Sequence, residues 1–144
     1  MEATGIARAK GRVEGLYTLP NFITALRTVL CLGIFSVAAY SQDMSLNLVG
    51  LIIYWSLDWL DGYLARSLDQ ETIIGAQFDI LSDRLLIAYF YLNYLFIAAG
   101  PVLIVSLFLL NFMVLDHFLS NQYLRWPLIS PNYFYQVDRI VWAL

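Results

Sequence analysis

An all-α, polytopic transmembrane helical bundle of about four spans is the fold class this sequence predicts. Three observations predict it. Sixty per cent of the 144 residues are hydrophobic and only 13% are charged, against about 25% charged in soluble domains. Apolar stretches recur at about the 20-residue length that crosses a bilayer core. Short polar turns separate them, which leaves room for one domain over residues 1–144. The formal charge of −3 comes with no basic tract, so nucleic acid is not an expected partner. The single cysteine, Cys31, lies inside an apolar stretch and excludes an intramolecular disulfide framework.

Taken in order, residues 2–15 are polar and cationic, with Ile6 and Val13 loosely spaced, and are expected to lie on the membrane surface. The apolar stretch that follows is too long for a signal-peptide core and contains Pro20, Asn21 and Arg27, so it reads as an uncleaved first span near 20–40. Pro20 suits its first turn. Ser41-Gln42-Asp43 forms a turn, and the second span runs from about Ser45 to Leu64. A polar link, Arg66 to Thr72, leads to a third span from about Gln77 to Ala99. No charge occurs between Arg84 and Asp116, so Gly100-Pro101 is the natural break before a fourth span, Val102 to Phe118. Residues 119–144, with Trp126, Pro127, Pro131, Tyr133 and Tyr135, read as an interfacial aromatic segment too polar to span. Arg8, Lys10, Arg12, Arg66, Arg84, Arg125 and Arg139 all fall on one side. The positive-inside rule makes that side cytoplasmic.

Four aspartates interrupt this apolar pattern. Asp58 and Asp61 close the second span; Asp79 and Asp83 open the third. A carboxylate at hydrocarbon depth costs about 2.5–3.5 kcal/mol even on insertion scales. On a helix Asp58, Asp61 and Ala65 share one face, and Asp79 and Asp83 share another. An antiparallel pair brings both faces together as an all-oxygen cage for one or two hard divalent cations, Mg²⁺ or Mn²⁺. Gly62 and Ala65 keep the second-span face thin, Arg66 offers a bidentate donor to phosphate, and Gly75 permits close approach. Metal, carboxylates and an arginine suit a diphosphate. A spare carboxylate can take a proton from an attacking hydroxyl. The residues alone also allow an ion-coupled transporter, because intramembrane carboxylates mark ion paths.

The gapless pattern Asp58-x2-Asp61-Gly62-x2-Ala65-Arg66-x8-Gly75-x3-Asp79-x3-Asp83 resembles the signature of the CDP-alcohol phosphatidyltransferase family. The run Leu19-Pro20-Asn21-Phe22-Ile23-Thr24-Ala25-Leu26-Arg27 resembles the first-helix start of that family's phosphatidylglycerophosphate and cardiolipin synthases. The resemblance implies transfer of a phosphatidyl group from a CDP-linked donor, CDP-diacylglycerol, to an alcohol, with release of CMP. Glycerol 3-phosphate is the favoured acceptor. It implies Asp58, Asp61, Asp79 and Asp83 as ligands of a two-metal Mg²⁺ or Mn²⁺ site, with Asp83 also the general base. Gly62, Ala65, Arg66 and Gly75 are implied in the CDP pocket, and Asn21 and Thr24 along the donor site. Membrane lipids and a second copy of the chain are the implied partners, with the active site on the cytoplasmic side.

The family has six spans, so four imply a C-terminally incomplete domain, and a catalytically silent CDP-lipid-binding chain is a further alternative. Arg84 stands where the family commonly has lysine. Leu115-Asp116-His117-Phe118 lacks the Arg-Glu pair expected of a phosphatidylglycerophosphate synthase. Asp116 and His117 read mainly as interfacial polar groups. Arg125 and Arg139 read mainly as headgroup contacts, with acceptor binding the alternative for all four.

Overall fold

The structure is a computed structural model and describes residues 17–125 apart from Asp69 and Glu71. The expected surface helix at 2–15 and most of the aromatic segment, including Arg139, lie outside the described residues. Every described element is helical: α1 (Leu19–Ser41), α2 (Met44–Ser67), α3 (Ile73–Ala98), α4 (Val102–Leu110), a π-helical segment (Asn111–Asp116) and α5 (His117–Arg125).

Local chemistry sets the boundaries. The Thr18 side chain accepts from the Asn21 amide and Pro20 occupies the first turn, so α1 starts there. Gln42 ends it in the left-handed region, φ 54°. Asp43 accepts from the amides of Ser45 and Leu46 at 2.8 and 3.2 Å, which starts α2 at once. Thr72 accepts from the Gly75 amide at 3.0 Å. That cap starts α3 at Ile73, four residues before the expected Gln77. The predicted break at Gly100-Pro101 is present, but the left-handed residue is Ala99, φ 48°. Gly100 serves close packing instead, since a Cβ there would meet the Tyr94 ring.

The fourth helical stretch continues through the π segment beyond the expected Phe118. A π-bulge admits one extra residue without breaking a helix, so hydropathy alone could not reveal the extension. Three stretches are long and apolar enough to cross a membrane: Leu19–Ser41, Ile73–Ala98 and Val102–Asn121. The second helix has the length, 24 residues or about 36 Å at 1.5 Å per residue. Asn47, Asp58 and Asp61 make it less apolar than the other three. The chain is an integral membrane protein, and its outer faces agree: Val102, Leu103 and Ile104 are each 65% exposed or more. An apolar surface of that extent belongs in lipid.

α1 packs against both α2 and α3, and α4 packs chiefly on α3. The core holds Cys31, Phe35, Tyr54, Leu86 and Phe90. Phe35 meets Tyr89 and Phe90 edge-on or tilted, with centroids 6.0 and 6.2 Å apart. Gly50 lets α2 close on that ring, since a Cβ there would lie 2.5 Å from Phe35 Cε1. Beyond Phe35, Asn93 Nδ2 donates to Phe35 O at 2.8 Å and to Asn47 Oδ1 at 3.0 Å. Asn47 Nδ2 donates to Phe90 O at 3.2 Å. This buried amide pair ties the three helices at one end. The aspartates occupy the other.

Candidate active site

The start of α1, the end of α2 and the start of α3 converge around one guanidinium. Arg27 has no solvent exposure. Its Nη1 pairs with Asp58 Oδ1 and lies 3.5 Å from Asp61 Oδ2. Its Nη2 donates to Asp79 Oδ1 at 2.6 Å and to Asp83 Oδ1 at 3.0 Å. One nitrogen therefore serves the α2 pair and the other the α3 pair. The face-sharing spacings i, i+3 and i, i+4 set this up, because each pair projects from a single turn. The guanidinium carbon also stands 5.2 Å from the Tyr54 ring centroid, and the Tyr54 hydroxyl is turned to Asp83. Sequence reading placed Arg27 in the first span and at the end of the Leu19–Arg27 run, but gave it no role in the site. A buried charge needs partners, and that rule, applied to a lone arginine in an apolar stretch, was the available signal.

Second contacts fix the carboxylates. Thr24 Oγ1 donates to Asp61 Oδ2 at 3.0 Å and lies 3.1 Å from Pro20 O. Thr24 thus orients a candidate metal ligand. Asn21 meets α3 at Gly75, where a Cβ would run into Asn21 Oδ1 and come within 2.7 Å of Thr72 Oγ1. Gly75 is buried there and brings the start of α3 against α1. Gly62 and Ala65 are half-buried near the end of α2. Arg66 belongs to the last turn of α2, with its side chain outside the described residues.

Oxygens of Asp58, Asp61 and Asp79 lie within 4.8 Å of one another. Four carboxylates against one guanidinium leave a formal −3 at the cage. A hard-oxygen set with that charge deficit fits a divalent cation. Asp83 lies outside the tightest trio and faces a cavity of about 270 Å³ between α2, α3 and α4, lined in part by Tyr54, Arg84, Tyr91, Phe108 and Phe112. Of the four carboxylates it is the one that lines this cavity, while the Asp58 and Asp79 side chains are each 39% exposed.

Arg84, 7% exposed, lines the same cavity and pairs outside the cage. Its Nη2 pairs with Asp116 and lies 3.3 Å from Ser120 Oγ, and its guanidinium carbon stacks 3.9 Å from the Phe112 centroid. Asp116 is therefore the partner of a buried arginine, a role beyond interfacial decoration. His117 Nε2 contacts Asn121 Nδ2 at 2.9 Å, one turn along the same helix. Arg125 ends α5, with its side chain outside the described residues.

The family model described as CDP-alcohol phosphatidyltransferase matches residues 17–130. A CDP-diacylglycerol–glycerol-3-phosphate 3-phosphatidyltransferase of Pseudomonas fluorescens is 41% identical over 73 residues, 49% of this chain and 37% of that protein. The protein of the same name from Haemophilus influenzae is 34% identical over 74 residues, 49% of this chain and 40% of its own. A CDP-diacylglycerol–serine O-phosphatidyltransferase of Helicobacter pylori is 36% identical over 92 residues, 58% of this chain and 38% of its own. The chain thus spans about two fifths of the length of these relatives. No solved structure matches it.

Proposed function

The chain belongs to the CDP-alcohol phosphatidyltransferase family, and from that premise we propose that it transfers a phosphatidyl group from CDP-diacylglycerol to a small alcohol, releasing CMP, in phospholipid synthesis. The observation that carries the reading is the meeting of Asp58, Asp61, Asp79 and Asp83, from two helices, in one cage. Glycerol 3-phosphate is the first acceptor to test and serine the second, because those names belong to the relatives.

Asp58, Asp61 and Asp79 would hold Mg²⁺ or Mn²⁺, with Asp83 as the fourth ligand. Such a cation, when bound, supplies charge neutralisation for the diphosphate and the departing nucleotide. The chain's own groups do the rest. Thr24 holds Asp61 in orientation. Gly62 and Ala65 leave room for the donor, and Arg66 binds its diphosphate. Gly75 and Asn21 close the start of α3 onto α1 beside the donor. Asp83, on the cavity, accepts the proton of the acceptor hydroxyl as its oxygen bonds to the phosphorus bearing the diacylglycerol. The bond from that phosphorus to the bridging oxygen breaks, and CMP leaves with the electron pair. The site faces the cytoplasm, in keeping with the arginine and lysine distribution, and a second copy of the chain is the expected partner in the membrane.

The test is CMP release from CDP-diacylglycerol in detergent, with each acceptor in turn. EDTA is expected to abolish release, and Mg²⁺ or Mn²⁺ to restore it. Full activity in chelator would remove metal from the reaction; no CMP with any alcohol would leave a CDP-lipid-binding chain.

A further inference from the structure

Arg27 presents two nitrogens to four carboxylates in a two-by-two pattern. Nη1 faces Asp58 and Asp61; Nη2 faces Asp79 and Asp83. The pattern divides the carboxylates by helix. A guanidinium does this with one positive charge. Two divalent cations would bring four. Arg27 is fully buried, and its Nε has no hydrogen-bond partner. Strong pairing at one edge of the guanidinium and none at the other describes a side chain held chiefly by the aspartates.

We propose that Arg27 is a built-in placeholder cation, which competes with divalent metal for the same carboxylate oxygens and holds the two aspartate pairs in register until metal displaces it. The proposal rests on the metal reading of the cage given above. Its physical basis is direct. Asp58 Oδ1, Asp61 Oδ2, Asp79 Oδ1 and Asp83 Oδ1 all lie within 3.5 Å of an Arg27 nitrogen. A cation ligated by those oxygens would sit at van der Waals distance from a like charge. Repulsion at such range is strong wherever water is excluded. Arg27 must therefore withdraw when metal binds, and its loss must favour metal. Lysine at this position keeps one charge on a single nitrogen. It can serve one aspartate pair at a time, so it competes less well.

The experiment measures Mn²⁺ affinity by electron paramagnetic resonance on the purified chain in detergent, with no lipid substrate. Arg27→Gln is expected to bind Mn²⁺ at least about tenfold more tightly than the parent, a change of about 1.4 kcal/mol. Its melting temperature in EDTA is expected to fall, and the rise on adding Mn²⁺ to exceed the parent's. Arg27→Lys keeps a charge and guards against failure to fold; its affinity is expected between the two. In Arg27→Ala, millimolar free guanidinium should compete with Mn²⁺, and in the parent it should not. Unchanged or weaker Mn²⁺ binding in both Arg27→Gln and Arg27→Lys would overturn the placeholder role while leaving the metal site intact. Absence of Mn²⁺ binding in the parent and in every variant would overturn both readings together.

Discussion

At one end of the three-helix core Asn47 and Asn93 are buried and pair with each other and with two carbonyl oxygens; at the other, four aspartates share Arg27. Both ends bury polar side chains at the α1–α2–α3 junction. They differ in how completely those groups are answered. Among the described residues, the buried side-chain nitrogens and oxygens without a partner are Arg27 Nε and Arg84 Nε, and both lie toward the aspartate end. The amide end is neutral and leaves no buried side-chain polar atom without a partner, as a stabilising polar network should. The aspartate end keeps an excess charge that no folding requirement explains. Local departures from self-consistency mark sites kept for chemistry. The contrast therefore separates a device for holding helices from a device for binding something cationic.

The largest expected effect tests that separation at the charged end. Asp83→Asn keeps the shape and one ligand-competent oxygen but cannot accept a proton. Turnover should fall by about 10²–10⁴-fold, while the melting temperature in chelator stays within a few degrees of the parent. Donor affinity in the presence of Mn²⁺ should be retained. Asp61→Asn should instead lose metal and donor binding together. If Asp83→Asn turns over within a few-fold of the parent, the base lies elsewhere and Asp116 or His117 is the next to test.

Asn93→Leu asks the opposite question of the other end. It removes the donor to Phe35 O and Asn47 Oδ1 and leaves the buried Asn47 Oδ1 unpaired, at about 1–3 kcal/mol. The expected result is a lower unfolding midpoint with Mn²⁺ affinity unchanged. An equal loss of metal affinity would show the two ends to be one coupled unit and would break the comparison.

Gly75→Ala is the smallest effect and sharpens the boundary between packing and chemistry. Alanine gains up to about 1 kcal/mol in helix propensity. Its Cβ meets Asn21 Oδ1 and Thr72 Oγ1, and overpacking costs about 1–3 kcal/mol. The gain offsets only part of the cost, so stability should drop by up to about 2 kcal/mol. The start of α3 must nonetheless move away from α1, and CMP release should decrease several-fold. A variant with parental kinetics would confine Gly75 to packing.

How far the sequence alone reaches can be judged residue by residue. Helix class, the antiparallel order, the Gly100-Pro101 break and the union of Asp58, Asp61, Asp79 and Asp83 were all legible. Each depends on hydropathy, on spacing within one or two turns, or on a short reversal between neighbours. The early start of α3 was written in Thr72, whose side chain caps Gly75, but apolar periodicity hides a cap. The run of the fourth helix beyond Phe118 was not legible, because a π segment carries a helix past the point where the apolar stretch ends. Arg27 was the principal omission. Its partners lie 31 to 56 residues away, and no local pattern links them. Composition and spacing by themselves determined that this chain is a helical membrane protein with an acidic cage at one end. Only the tertiary structure decided that the cage closes on a first-helix arginine, that Thr24 orients Asp61, and that Asp116 answers Arg84. The physical reason is range: helix geometry fixes which neighbours share a face, whereas the partner of a buried charge is chosen by the packing of three helices.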